Sequence, residues 1–258
     1  MGSPLNLSII APCTGRKAWS GPSLDRAQLE RFHAGRGSSS GGSGGSGGSG
    51  VTGELPRFPA TELYTGLGHV LLRRGIDAFR EGVGAGSEEA GRLTLHIVSA
   101  GMGVVAEREM IPPYEATFTT LQGRARLAWA QTLDIPRKIA AVVARPADLR
   151  LVLLGREYLE VAALPPITDG TPTIVLAAPS AADLVPAGAL HVPLSQAHAR
   201  RFHATLIALK GELVRRLLSE AALWSRADLG QLAAWRDADA FLELCEACGT
   251  GVASGARR

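Results

Sequence analysis

The chain has 258 residues, of which 46% are hydrophobic and 5% aromatic, and its mean hydropathy is +0.11. That length can bury a core, and the absence of any run of about 18 apolar residues predicts a globular protein with no membrane partner. The net charge of +3 and the isoelectric point near 9.0 would assist contact with a polyanion, but they fall short of a dedicated nucleic-acid-binding arm.

Short apolar segments alternate with helical patterns along the chain. They predict strands at 5–11, 93–99, 149–154, 173–178 and 189–193. Helices are predicted at 23–33, 60–81, 121–132, 137–144, 156–163, from Ser195 onward, at 225–236 and at 238–248. This alternation predicts an α/β fold, with a single layered domain, a mostly parallel sheet flanked by helices, and a helical C-terminal tail.

Residues 37–50 read GSSSGGSGGSGGSG, a composition typical of an engineered flexible linker. We therefore expect this run to replace a native loop, and it takes no part in the fold prediction. The sequence then divides into an α/β core at 1–36 and 51–194, and a C-terminal helical segment at 195–258.

The start of the chain has no basic segment followed by an apolar run, as a secretory signal would. Three cysteines, Cys13, Cys245 and Cys248, are too few for a disulfide framework. Cys245 and Cys248 form a single CxxC with no second ligand pair nearby, so we expect no metal and no other cofactor. Together these features predict a cytoplasmic protein.

The first candidate site follows the first predicted strand, in the run Pro12-Cys13-Thr14-Gly15-Arg16-Lys17. A tight turn at a strand end would present a hydroxyl and backbone N–H groups, and Arg16 and Lys17 can bind anions. A lysine held against a dry pocket can lose its proton and act as a nucleophile. An equally good interpretation is a surface turn with two solvated cations. The spacing of a P-loop is absent.

A second candidate site follows the strand predicted at 93–99, in Ser99-Ala-Gly101-Met-Gly103. Its glycines match the dinucleotide-binding pattern GxGxxA. However, Pro112 and Pro113 stop any following helix, and no second strand ending in Asp or Glu follows about twenty residues on. The glycines therefore favour a close approach of the backbone to a small ligand, with Ser99 reaching it.

Two tyrosines complete the candidate pocket. Tyr64 stands before Gly66 in the second predicted helix, and Tyr114 precedes Glu115 after the rigid Pro-Pro step. Such a pair can sandwich a nucleobase. The alternative is two interior tyrosines, each with a satisfied hydroxyl.

A basic population lies on the predicted helix that begins at Ser195. These cations could contact phosphates, or they could form a solvated face interleaved with Glu212 and Glu220. The residues are Arg200, Arg201, Lys210, Arg215 and Arg216.

The order of these motifs, from Cys-x-x-x-Lys to Pro-Tyr, resembles the YaaA peroxide-stress family and its relatives of unknown function, over about residues 8–118. The matching residues are Tyr64 and Gly66, Ser99 and Gly103, and Pro113 and Tyr114. Pro12-Cys13 with Lys17 is also similar to the start of the archaeosine synthases, which act on a 7-deazaguanine in tRNA. The resemblance implies one α/β domain with a deep pocket at the sheet edge, connected to nucleic acid or modified nucleobases.

The leading hypothesis is a nucleic-acid-associated protein with a nucleobase or nucleoside pocket, a base-acting glycosylase or a base-modifying enzyme. Lys17 would be the nucleophile or electrostatic stabiliser, Glu115 the acid or base, and Cys13 a further catalytic group. The expected substrate-binding residues are Thr14, Tyr64, Gly66, Ser99, Gly101, Gly103 and Tyr114. The expected nucleic-acid-binding residues are Arg16, Arg200, Arg201, Arg215 and Arg216.

The expected partners are DNA or RNA and a small nucleobase-like ligand. Two other functions stay open at this point. One is a non-catalytic DNA-binding protein of stress response or genome protection, and the other is a nucleotide-dependent transferase with a Rossmann-like core.

Overall fold

The computed structural model describes residues 5–37, 55–83, 92–221, 224 and 233–250. Apart from Gly37, the predicted linker lies outside the described residues, as do 225–232 of one predicted helix. The strands are β1 (Asn6–Pro12), β2 (Phe58–Pro59), β3 (Arg92–Ser99), β4 (Gly103–Ala106), β5 (Met110–Ile111), β6 (Leu149–Val152), β7 (Thr173–Ala177) and β8 (Leu190–Pro193).

The helices alternate with these strands along the chain. They are α1 (Arg26–Gly37), α2 (Ala60–Leu63), α3 (Leu67–Gly82), α4 (Gly123–Thr132), α5 (Ile135–Val143), α6 (Arg156–Ala162), α7 (Gln196–Arg201), α8 (Leu206–Ala221) and α9 (Ala238–Thr250). Two 3₁₀ turns cover Pro179–Leu184 and Ala233–Trp235.

Six strands form one sheet in the order β4-β3-β1-β6-β7-β8. All neighbouring pairs are parallel except β3 and β4. Because β3 lies on one side of β1 and β6 on the other, the winding of the chain reverses between β1 and β6. Ligands bind at such a switch point, outside the carboxyl ends of the strands. The structure confirms the predicted α/β fold with a mostly parallel sheet.

Burial of the inner strands β6 and β7 shows that both faces of the sheet are covered there. Every residue of β6 and β7 is buried, as expected for a parallel sheet with both faces covered. α3 packs along α8, and α8 packs against α9, whereas α4, α5 and α6 contact one another. The buried side chains of α8 belong to the same core as the strands.

α3 and α8 approach closely through glycines. A Cβ at Gly75 would lie 2.7 Å from the Cα of Arg215, and a Cβ at Gly211 would overlap the backbone of Gly68. Gly68 meets Gly211 and, further along both helices, Gly75 meets Arg215. The two helices therefore run parallel. Their N-termini therefore start side by side.

Two predicted helices are interrupted. The helix predicted at 60–81 divides into α2 and α3, because the extended segment between them pairs with the loop after β1. There Lys17 and Tyr64 form a β-bridge, and Thr65 N donates to Arg16 O at 3.0 Å. The helix predicted from Ser195 divides into α7 and α8, with His203 in the left-handed region at φ 52°.

The Gly101–Gly103 segment turns into a strand. Gly103 has φ 78°, and β4 then returns antiparallel to β3. A dinucleotide fingerprint requires a helix at this point, so these glycines do not stand in a strand-to-helix turn. Within the described residues, no helix has the length and apolarity needed to cross a membrane.

Candidate functional site

A cavity of about 370 Å³ lies at the carboxyl ends of β1 and β6. Four stretches of chain enclose it: the loop after β1, the start of α3, the end of β6 and the start of α8. The lining residues are Ala11, Pro12, Cys13, Thr14, Gly15, Arg16, Gly66, Gly68, His69, Leu72, Leu153, Ile207, Lys210 and Gly211. The structure thus brings the predicted residues Cys13, Thr14, Arg16 and Gly66 together at one cavity.

The loop after β1 is fixed by hydrogen bonds to its neighbours. Cys13 N donates to Val98 O at 2.9 Å, and Cys13 Sγ lies 3.1 Å from Tyr158 Oη. Thr14 Oγ1 donates to Arg16 O at 2.8 Å and accepts from Gly66 N at 3.2 Å. A Cβ at Gly66 would lie 2.8 Å from Thr14 Cβ, so only glycine lets α3 start this close to the loop.

Lys17 lies beside the cavity and is absent from its lining. Its Nζ is 4.7 Å from the centroid of the Tyr114 ring and donates to Gly15 O at 3.4 Å. An aromatic face and a carbonyl oxygen both attract a cation. The half-buried Lys17 side chain is therefore held against Tyr114 in this conformation.

The predicted residues Tyr64, Ser99 and Tyr114 form a hydrogen-bonded chain in the interior. All three are fully buried. Ser99 Oγ donates to Tyr114 Oη at 2.8 Å, and the Tyr64 and Tyr114 oxygens are 2.9 Å apart. Burial raises the pKa of both phenols well above the ordinary value, so both stay protonated. Neither ring offers an open face to a ligand in this conformation.

The Ser99–Gly103 loop lies behind the cavity. Ser99 Oγ accepts from Met102 N at 2.9 Å and from Gly101 N at 3.3 Å. A Cβ at Gly101 would overlap the Tyr114 ring, and one at Gly103 would lie 2.7 Å from Leu133 O. The two glycines thus allow close packing within the protein, and neither lines the cavity.

The remaining predicted residues lie away from the cavity. Glu115 is exposed, and its N–H donates to Leu24 O at 2.8 Å. Arg201 pairs with Glu246 at 2.6 Å. Arg215 and Arg216 each pair with Glu212 at 2.7 Å.

Among the predicted nucleic-acid-binding residues of α7 and α8, only Arg200 is exposed without an ion pair to a described residue. The described parts of the chain hold no group of three or more His, Cys, Asp and Glu residues that could bind a metal ion.

Lys210 lines the cavity, although the sequence did not predict it as a pocket residue. Lys210 Nζ donates to Leu153 O at 3.0 Å and to Leu154 O at 2.8 Å. Burial lowers the pKa of this amine to about 8, and the nearby Glu157 partly offsets that effect. The signal available was weak: Lys210 stands between Leu209 and Gly211, which are both buried.

His69 was also missed as a lining residue. Its Nε2 donates to Thr61 O at 3.0 Å, and burial lowers its pKa to about 4. The imidazole is therefore neutral near pH 7, with Nε2 protonated. Its Nδ1 is buried and has no hydrogen-bond partner among the described residues.

The cavity is electropositive. Its lining includes the cations of Arg16 and Lys210 and no Asp or Glu. α3 and α8 both begin at its wall, and a helix N-terminus carries a partial positive charge.

No family model, curated protein or solved structure matches this chain.

Proposed function

We propose that this protein binds a nucleobase or nucleoside in the cavity between the ends of β1 and β6, as part of a function on nucleic acid. The observation that carries the proposal is the place and size of the cavity. Its volume of about 370 Å³ lies in the range of small-molecule sites, and it occupies the switch point of the sheet.

The lining combines the two kinds of surface that a nucleoside needs. Leu72, Leu153 and Ile207 supply apolar walls for a ring, and Thr14 with the backbone of the β1 loop supplies polar groups. The choice of a nucleobase also rests on the resemblance of Pro12-Cys13 and Lys17 to the start of the archaeosine synthases, which act on a 7-deazaguanine in tRNA. The same loop lines the cavity.

In the enzymatic form of the proposal, the protein acts as a glycosylase or base-modifying enzyme. Lys17 remains the proposed nucleophile, and it would have to leave the Tyr114 ring to reach the cavity. Lys210 already lines the cavity, so it is a second amine within reach of a bound ligand.

The two alternative functions have less structural support. A DNA-binding face on α7 and α8 would need free arginines, whereas Arg201, Arg215 and Arg216 are paired with carboxylates. A nucleotide-dependent transferase with a Rossmann-like core would need its glycine fingerprint before a helix, and a strand follows it here.

A binding experiment tests the proposal. A Cβ at Gly15 meets nothing within 4 Å, so the backbone there accepts a Cβ, and Gly15→Leu places a side chain at the cavity wall. Gly35 on α1 has the same open surroundings and does not line the cavity, so Gly35→Leu is the matched control. Calorimetry with free bases and nucleosides should show binding that Gly15→Leu weakens about tenfold or more and Gly35→Leu preserves.

Equal binding by both variants would place the ligand elsewhere, and no binding of any base or nucleoside by the unchanged protein would refute the proposal. Mass spectrometry after incubation with DNA and tRNA then tests catalysis. Release or alteration of a base that disappears in Lys17→Ala would establish the enzymatic form, and unchanged nucleic acid would favour a binding protein.

A further inference from the structure

We propose that the cavity binds its ligand through a phosphate group, held by Lys210 and Arg16 on the side where α3 and α8 begin. This inference rests on the proposed function and deepens it, because it makes the ligand a nucleoside phosphate.

The charged side chains in the cavity lining are all positive. Arg16 and Lys210 come from different elements, the β1 loop and α8, yet both belong to one lining that contains no carboxylate. The charged neighbour that acts on Lys210 is Glu157 of α6, which is not part of the lining. Two cations in a lining that itself holds no carboxylate, beside an apolar wall, favour an anionic ligand.

Lys210 is held in place while one of its donors stays available. An ammonium group has three N–H donors. Two of them point to the carbonyls of Leu153 and Leu154 at the end of β6. These bonds orient the amine at the cavity wall, so the third N–H can reach a ligand oxygen with little loss of side-chain entropy.

The start of α3 adds backbone donors to this side. α3 has 16 residues, and Gly66 at its N-cap offers no side-chain hydrogen bond to the first turn. By contrast, Thr205 Oγ1 accepts from Ala208 N at the start of α8. The N–H of His69 donates to Gly66 O at 2.9 Å, so the N–H groups before it in the first turn are the ones that favour an anion. They supplement the two side chains.

Phosphate fits this arrangement better than a carboxylate does. Its several oxygens can accept from an ammonium, a guanidinium and backbone N–H groups at the same time. A nucleoside monophosphate would place its base against Leu72 and Ile207, which are apolar lining residues. The chemical class predicted for the ligand is therefore a nucleoside phosphate, free or within a nucleic-acid strand.

Calorimetry with three probes tests the inference: a nucleoside, its 5′-monophosphate, and inorganic phosphate alone. The monophosphate should bind about tenfold or more tightly than the nucleoside, because charge-assisted hydrogen bonds are the strong ones. Lys210→Met should bring the affinity for the monophosphate close to the affinity for the nucleoside. Lys138→Met, a lysine on α5 outside the lining, should preserve the difference between the two affinities.

Arg16→Gln provides a second variant that should not disturb folding. Arg16 is exposed, and no hydrogen bond of its side chain to a described residue is present. Arg16→Gln should lower the ratio of the affinity for the monophosphate to the affinity for the nucleoside. Arg92→Gln, at the amino end of β3 on the opposite edge of the sheet, is its control. If Lys210→Met fails to fold, Arg16→Gln decides the outcome.

The possible results separate this inference from the proposed function. Equal affinity for nucleoside and monophosphate would overturn the phosphate site and leave the nucleoside pocket standing. Binding of inorganic phosphate that is lost in both variants, without any nucleoside binding, would support the phosphate site and refute the nucleoside pocket. A ratio that neither variant changes would overturn the assignment to Lys210 and Arg16. Comparison of the monophosphate with a short single strand distinguishes a free nucleotide from a nucleic acid.

Discussion

The phenol oxygens of Tyr64 and Tyr114 lie 2.9 Å apart in the protein interior. Tyr64 belongs to the segment between α2 and α3, and Tyr114 follows the Pro-Pro step after β5, so one hydrogen bond joins positions 50 residues apart. Tyr114 also accepts from Ser99 at the end of β3. These hydrogen bonds hold together the segments that pack beside the β1 loop, and that loop lines the cavity.

Tyr114→Phe should therefore destabilise the protein by about 1–3 kcal/mol, the usual effect of leaving buried polar groups without partners. The substitution removes the middle hydroxyl of the chain, so Ser99 loses its acceptor and Tyr64 loses its partner. Urea denaturation measures the change. Tyr64→Phe removes an end of the chain and should cost less, and an equal or larger cost would contradict the central role of Tyr114.

Gly101→Ala should cost about 1–3 kcal/mol, because it overpacks the interior. The added Cβ would overlap the Tyr114 ring, which is fully buried and hydrogen-bonded. Thermal unfolding gives the measurement. Gly35→Ala meets open space in α1 and should be neutral or slightly stabilising. Similar melting temperatures for the two variants would show that Tyr114 can move aside.

Asp169 should control stability at acid pH. The fully buried Arg150 donates to both carboxylate oxygens of Asp169, at 3.2 and 2.6 Å, and lowers the pKa of that carboxyl from 3.8 to about 2. Because the folded-state pKa is the lower one, this stabilisation is present above pH 4 and is lost as the pH falls through about 2.

Asp169→Asn should lower the free energy of unfolding at pH 7 by about 1–3 kcal/mol, since Asp169 is partly exposed and its removal leaves Arg150 with weaker compensation. Denaturation between pH 4 and 2 should show a smaller slope in the variant than in the unchanged protein. Identical slopes would mean that another carboxyl dominates this range.

Lys210 should produce a pH dependence of the same sign at alkaline pH. Burial lowers its pKa from 10.5 to about 8, so between these values the unfolded chain holds more protons at this position than the folded chain. The free energy of unfolding therefore gains a component that rises with pH from about 8 to 10.5. The charged group that acts on the amine is Glu157 of α6.

Lys210→Met lacks this component, so the difference in stability between the two proteins should change with pH across that range. Urea denaturation at several pH values measures it. The same series for Lys138→Met should run parallel to the unchanged protein. A constant difference for Lys210→Met would show that the amine keeps an ordinary pKa.

The parallel strands were predictable because each is a short apolar run bounded by polar or turn residues. β1, β3, β6 and β7 lie within two residues of their predicted positions. β4 and β5 escaped prediction because strands of four and two residues show no usable periodicity. The break between α2 and α3 depends on pairing with the distant β1 loop, which local propensity does not encode.

Part of the candidate site was likewise predictable from the sequence, and part was not. The Cys13–Arg16 run could be placed at a ligand-binding edge because it directly follows a strand. Lys210 could not be placed there, since its role depends on how α8 docks against the end of β6. A helical pattern shows which residues of α8 are apolar, but it does not reveal that Nζ meets the carbonyls of Leu153 and Leu154.

The contact between Gly68 and Gly211 has a consequence for selectivity. Backbone meets backbone at this point, and both residues also line the cavity. No rotamer change can widen that part of the wall, so the size limit is set by helix spacing. A bulkier ligand would require α3 and α8 to slide apart, whereas discrimination among ligands of permitted size falls to Leu72 and Ile207. The backbone thus limits the size of the ligands that can bind, and a few side chains distinguish among the ligands within that limit.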